Sequence, residues 1–334
     1  MNIKKIGLTA LAGSLAMVSA GAVELVVTGK TEVTYVTKDY NTTGNPFGLG
    51  NMISFNGSGD VNGMTVSYNA NMQDGGSVSA TTSDVFASAS LMVDMGDLGK
   101  TGLDQGAGVF GADTIDDMMP YAYEEIWTYV GSGTSAGHAV GGGNQNVIGY
   151  SNSYAGLNLS VEIDPGQKAS STGDGGTTAV GTTEGGVNFA LTSSDLMDGL
   201  TVGLGHGEED TYDKTMASEA TYNTGFAKYA IGAATVGYQL SESRGGSSGK
   251  VATDSEFYGI SYSVNENFAI SYNEVNTDFY SVATASQEET TGIGASYTMG
   301  SAAVRVLTAE IKNKGGVTTA KDETITELSV MLAF

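Results

Sequence analysis

From Val23 onward, apolar and polar side chains alternate along the chain. Met64, Val66, Tyr68, Ala70 and Met72 share one parity, and Thr65, Ser67, Asn69 and Asn71 share the other. A β-strand sends the two sets to opposite faces. The same period recurs in Leu157, Leu159, Val161 and Ile163, in Val236, Tyr238 and Leu240, in Tyr258, Ile260, Tyr262 and Val264, and in Leu328, Val330, Leu332 and Phe334. The connections alternate as well. Short ones, such as Val61-Asn62-Gly63-Met64, Tyr154-Ala155-Gly156-Leu157 and Met197-Asp198-Gly199-Leu200, carry tight-turn chemistry. Long polar ones fall at about 38–50, 74–84, 106–143, 165–184, 209–217, 243–253, 278–287 and 313–323. Seven tight turns and eight long loops join sixteen strands.

A soluble sandwich or propeller would bury the apolar face of each sheet against another sheet. A transmembrane barrel turns that face to lipid and the polar face to its lumen, with short turns at one end and long loops at the other. The asymmetry of the connections selects the barrel. Closure also pairs every backbone donor and acceptor, which hydrocarbon cannot do. The expected fold is therefore all-β, a transmembrane antiparallel barrel of sixteen strands. At that size such barrels leave an aqueous channel.

The N-terminus adds the route of export. Lys4 and Lys5 precede an apolar run from Ile6 to Val18, followed by Ala20-Gly21-Ala22, the layout of a cleaved signal peptide and too short to span a bilayer as a helix. Residues 1–22 are read as the signal peptide and 23–334 as one barrel domain. Of 334 residues, 49 are Gly, 3 Pro and none Cys, which removes disulfide frameworks, thiolate metal sites and thiol nucleophiles. Lys and Arg number 14 against 37 Asp and Glu, a balance that opposes nucleic-acid binding.

Three stretches carry a resemblance. The third long loop holds Phe110-Gly111-Ala112-Asp113-Thr114-Ile115-Asp116-Asp117-Met118-Met119-Pro120-Tyr121-Ala122-Tyr123-Glu124-Glu125-Ile126-Trp127, the next strand begins Asn146-Val147-Ile148-Gly149-Tyr150-Ser151, and the chain ends Leu328-Ser329-Val330-Met331-Leu332-Ala333-Phe334. Together with the strand pattern, the chain resembles the general porins of Gram-negative outer membranes, the alphaproteobacterial kind above all. The resemblance implies an outer-membrane location and a homotrimer. It also implies that loop three folds into the lumen, and that assembly machinery recognises the strand ending in Phe334.

Loop three has a reading of its own. Ile115, Met118, Met119 and Ala122 fall at helical spacing, so a short amphipathic helix capped by Asp113 and broken by Pro120 is expected. Its apolar side would pack on the inner wall. Asp113, Asp116, Asp117, Glu124 and Glu125 would then place their charges at the constriction, and low-dielectric walls focus such a field. A cation-preferring pore follows. The resembled porins oppose this loop with wall arginines, and here the sequence departs. Lys30 lies on the inward parity of the first strand, while Arg305 shares parity with Ala303 and Leu307, which leaves its direction open. These two are the candidate wall cations.

Catalysis is not expected. His138 sits in a Gly-rich stretch of loop three and His206 shares the apolar parity of Val202 and Leu204, so neither is placed as a general base. Glu208-Glu209-Asp210 and Asp116-Asp117 could offer oxygens to calcium, but their spacing is no EF-hand. No metal or cofactor is assigned. Tyr35, Tyr150, Tyr154, Tyr258, Tyr262, Tyr272 and Tyr297 are placed as interfacial aromatics. The expected function is passive diffusion of ions and small hydrophilic solutes, with outer-membrane lipid as surroundings. A substrate-selective channel and a secreted Gly/Thr-rich surface protein are the alternatives.

Overall fold

The computed structural model describes residues 24–39, 44–73, 87–116, 118–127, 147–165, 183–211, 220–245, 252–280 and 286–334. The expected signal peptide, Asp117 and His138 lie outside them. Sixteen antiparallel strands form one closed barrel in sequence order. They are β1 (Glu24–Lys38), β2 (Phe47–Val61), β3 (Met64–Gln73), β4 (Ser88–Asp94), β5 (Lys100–Gln105), β6 (Val147–Tyr154), β7 (Leu157–Asp164) and β8 (Thr183–Ser193). The second half comprises β9 (Leu200–Thr211), β10 (Ala220–Ile231), β11 (Ala234–Arg244), β12 (Thr253–Ser263), β13 (Phe268–Phe279), β14 (Glu288–Met299), β15 (Ala302–Lys312) and β16 (Glu323–Ala333). β1 pairs with both β2 and β16, and the Gly29 and Phe334 backbones exchange two hydrogen bonds, at 2.7 and 2.9 Å, to finish the seam.

The expected connections are all present, seven tight turns at one end and eight longer ones at the other. Asn62-Gly63 and Ala155-Gly156 both take positive φ at each position, the geometry that matches the right-handed twist of a two-residue hairpin. Most of the exposed large apolar side chains stand on outward positions of the strands, including all seven tyrosines placed there from the pattern. His206 faces outward as well. Its two ring nitrogens lie 2.8 Å from Asn223 Oδ1 and 3.1 Å from Glu208 Oε1.

The apolar core is inside the barrel. Met119 and Ile126 of loop three pack with the inward-facing Phe257, Val275, Leu307, Ala309, Ile311 and Ile325 of β12–β16. A smaller cluster joins Ile115 to Ala190 and Phe226. A lumen wall that should read polar is thus apolar where the loop covers it.

Loop three departs from the expected helix. Where the helix was expected, the described residues form a 3₁₀ turn over Gly111–Ile115. Phe110 stands at the N-cap, with no side-chain capping bond, while Asp113 lies within the first turn. Wall side chains take the backbone groups that a helix would pair internally. Gly111 N–H donates to Ser160 Oγ at 2.8 Å, Ala112 N–H to Asn188 Oδ1 at 2.7 Å, Met118 N–H to Gln239 Oε1 at 3.2 Å and Ala122 N–H to Ser271 Oγ at 2.9 Å. With these partners on β7, β8, β11 and β13, the segment runs along the wall rather than coiling on itself.

Candidate pore constriction

The seat of loop three is cut by glycine. Phe110 is fully buried, and a Cβ at Gly149 on β6 would collide with its ring. A Cβ at Gly205 would come 2.9 Å from Ile115, one at Gly237 2.6 Å from Pro120, one at Gly259 2.8 Å from Pro120, and one at Gly292 2.6 Å from Ile126. Five inward glycines on β6, β9, β11, β12 and β14 thus make a shelf for the loop. Absence of a side chain at these positions is what lets the loop backbone approach the wall.

Polar anchors complete the seat. Gln239, buried on β11, also donates through Nε2 to the Asp116 carbonyl at 3.0 Å. Asn273 donates to the Pro120 carbonyl at 3.1 Å. At the loop's far end the Tyr123 hydroxyl lies 2.9 Å from Glu327 Oε1 and 3.1 Å from Glu32 Oε1. The Ser329 hydroxyl donates to that same Glu32 oxygen. Arg305 settles its direction here: it points inward, 4.0 Å from Glu32 and over the Tyr123 ring at 5.1 Å. Its neighbours Ala303 and Leu307 face inward too, because the lumen there is filled by the loop.

The four predicted carboxylates among the described residues are therefore spread along an arc. Asp113 is half-buried near the Glu162 carboxylate of β7, and Asp116 is exposed beside β11. Glu124 and Glu125 lie at the other end, Glu124 within the field of Glu327, Glu32 and Arg305. Burial pushes the Glu124 carboxyl up to about 7, and Glu327, Glu125 and Glu32 add to the rise while Arg305 opposes it. Lys30 faces inward, two residues from Glu32 toward the tight-turn end, at the level of Ala333. Glu208 is exposed and Glu209 buried on opposite faces of β9, so the adjacent acids do not converge.

The inner face of β2–β4 carries amides and hydroxyls at mid-height. Ser54 donates to Asn71 at 2.6 Å, Asn69 to Asn56 at 2.7 Å, and Asn71 to Asn69 at 3.1 Å and to Ser88 at 3.0 Å. This amide and hydroxyl ladder across β2–β4 stands where a set of wall arginines was the implied feature. Alternation alone marked those residues as inward and polar. The glycine shelf and the anchors Gln239, Asn273 and Tyr123 had a weaker sign in the sequence: apolar or Gly residues on the inward parity of strands otherwise polar there.

A closed antiparallel barrel with a lipid-type exterior and an internal loop defines a membrane channel. A family model described as Gram-negative porin matches residues 7–316. The chain belongs to that family, which places it among the outer-membrane diffusion channels. Solved structures agree on the fold. An anion-selective porin from Comamonas acidovorans aligns with a TM-score of 0.65 and 17% identity, covering 94% of this chain and 100% of that one. OmpF of Salmonella typhi, in complex with daunomycin, gives 0.68 and 14%, covering 93% and 98%. A mutant of the Rh. blastica porin gives 0.60 and 17%, covering 94% and 100%. Among curated protein sequences none matches significantly.

Proposed function

We propose that the chain, after removal of residues 1–22, forms a general diffusion channel that prefers cations. The carrying observation is the charge arrangement of the lumen. Loop three brings Asp113, Asp116, Glu124 and Glu125 to one arc, with Asp117 in the same acidic run, and wall carboxylates Asp104, Glu162, Glu32 and Glu327 face inward around it. Arg305 is engaged by Glu32 and Tyr123, and the amide ladder opposite adds no positive charge. Fixed carboxylates between low-dielectric walls concentrate cations and exclude anions.

The anion-selective neighbour shares the fold, so selectivity here rests on these side chains rather than on the barrel. The role read for the chain is conduction rather than catalysis. Strands β4–β7 have six to eight residues, against ten or more elsewhere. A wall this low is short for a lipid-facing span, which supports a homotrimer with this side turned to its partners. Reversal potential across a planar bilayer under a KCl gradient tests the selectivity. A cation-signed potential that falls on replacing Asp113, Asp116, Asp117, Glu124 and Glu125 by their amides is expected, and an anion-signed potential would overturn it.

A further inference from the structure

Beneath loop three, on its tight-turn side, the inner wall of β4–β10 encloses a hollow of about 930 Å³. Its chemistry differs from that of the constriction above it. Ser153 donates to Asn158 Oδ1 at 2.6 Å, and Asn158 Nδ2 lies 3.5 Å from Thr192 Oγ1. These three residues form one register row across β6, β7 and β8. Ser160 and Thr201 extend the polar surface above and beside that row. Ile115, Met118 and Phe226 supply an apolar patch on the same hollow. Charge enters only at the rim, where Lys100 sits 3.4 Å from Asp94, with Asp97 nearby.

We infer that this hollow is a binding site for neutral polyhydroxylated solutes, sugars of two or three rings, lying on the path through the channel. Hydroxyl and amide groups both donate and accept, so a row of them suits a ligand whose own groups do both. Lys100 is engaged by Asp94, so the rim offers no unengaged cation to hold an anionic solute. Neighbouring strands are about 4.8 Å apart and alternate residues along a strand about 6.8 Å apart. The row and its flanks thus make a two-dimensional grid of polar groups on the scale of a sugar ring. The apolar patch suits the C–H face of such a ring, and the volume falls in the range of small-molecule sites, roughly 300–1,000 Å³. The inference rests on the reading of an open lumen, and it adds a solute class to it.

The test is single-channel current through the full mature protein in a planar bilayer, with maltotriose and, as a size control, a polyethylene glycol of similar hydrodynamic radius. Maltotriose is expected to give resolved interruptions or excess noise that saturates with concentration, while the polymer lowers current without saturating. Asn158→Leu and Thr192→Val should each raise the half-saturating concentration at least tenfold. Asn69→Leu, on β3 outside the lining of the hollow, should leave it as in the wild type. Heat-modifiable migration on gels confirms that each variant is folded, and block is expressed as a fraction of that variant's own KCl current. Normal KCl current with no saturable maltotriose effect overturns the site and leaves the channel standing, as does equal loss in the Asn158 and Asn69 variants. No KCl current from the folded wild-type protein overturns the channel itself.

Discussion

The ring of Phe110 fills the space that any side chain at Gly149 would need. One residue begins the inserted part of loop three and the other belongs to the strand that follows the loop. Their fit fixes where the loop enters the lumen. Gly149→Ala should therefore displace Phe110 and cost about 1–3 kcal/mol, the usual range for overpacking. Thermal unfolding followed on unboiled gels would show it. Adding Phe110→Ala should recover much of the loss, and simple additivity of the two changes would contradict the contact.

Gln239 serves three loop backbone groups at once, accepting from Met118 and donating to Asp116 and Ile115. Gln239→Leu keeps the volume and leaves these groups without that partner at a partly buried seam. A loss of about 1–3 kcal/mol is expected, together with a broader spread of single-channel conductance as the loop loosens. A narrow distribution at wild-type stability would show that the loop is held by apolar packing alone.

Glu124 titrates near 7, raised first by burial and then by Glu327, Glu125 and Glu32. Below that pH the group is neutral, so cation preference should weaken as pH falls from 8 to 6. Glu124→Gln should shrink that step and leave any lower one in place. The linkage has a definite sign. A carboxyl whose folded pKa lies above its unfolded value binds more protons when folded, so its contribution to stability declines as pH rises from the unfolded value through 7. A reversal potential flat over that range in the wild type would refute the assignment.

Ala155 holds a positive φ of 51° in the turn between β6 and β7. An L-residue there carries a penalty that glycine does not. Ala155→Gly is expected to stabilise the barrel by a few tenths to about 1 kcal/mol, the relief of strain exceeding the added chain entropy. Denaturant midpoints compared with a Gly63→Ala variant, which introduces strain in a similar turn and should shift the other way, provide the check.

The strands were legible because lipid imposes a strict rule on them. An outward residue meets hydrocarbon along most of the barrel, so Leu328, Val330 and Leu332 announce their face without knowledge of any neighbour. Inward residues obey no such single rule. Ser54 and Asn71 face water and each other, whereas Phe257, Val275 and Ile311 face loop three and are apolar for that reason. This is why Arg305, flanked by Ala303 and Leu307, gave no direction in sequence. The loop's own helical spacing misled for a related reason. Ile115 and Met119 are buried as expected, yet against a concave wall that supplies hydrogen-bond partners of its own. Periodicity reports which residues are covered, but not whether a helix or an extended path covers them.

The shelf that seats loop three also imposes an order in time. Apart from Glu32, its named supports, Gly149, Ser160, Asn188, Gly205, Gln239, Ser271, Gly292 and Glu327, all follow the loop in the chain. The loop is synthesised and exported before its seat exists, and contacts this distant in sequence form late because their closure entropy must be met first. Narrowing of the lumen thus belongs to the end of folding: an intermediate lacking the last strands would hold an unseated loop, with Ile115, Met119 and Ile126 exposed to water.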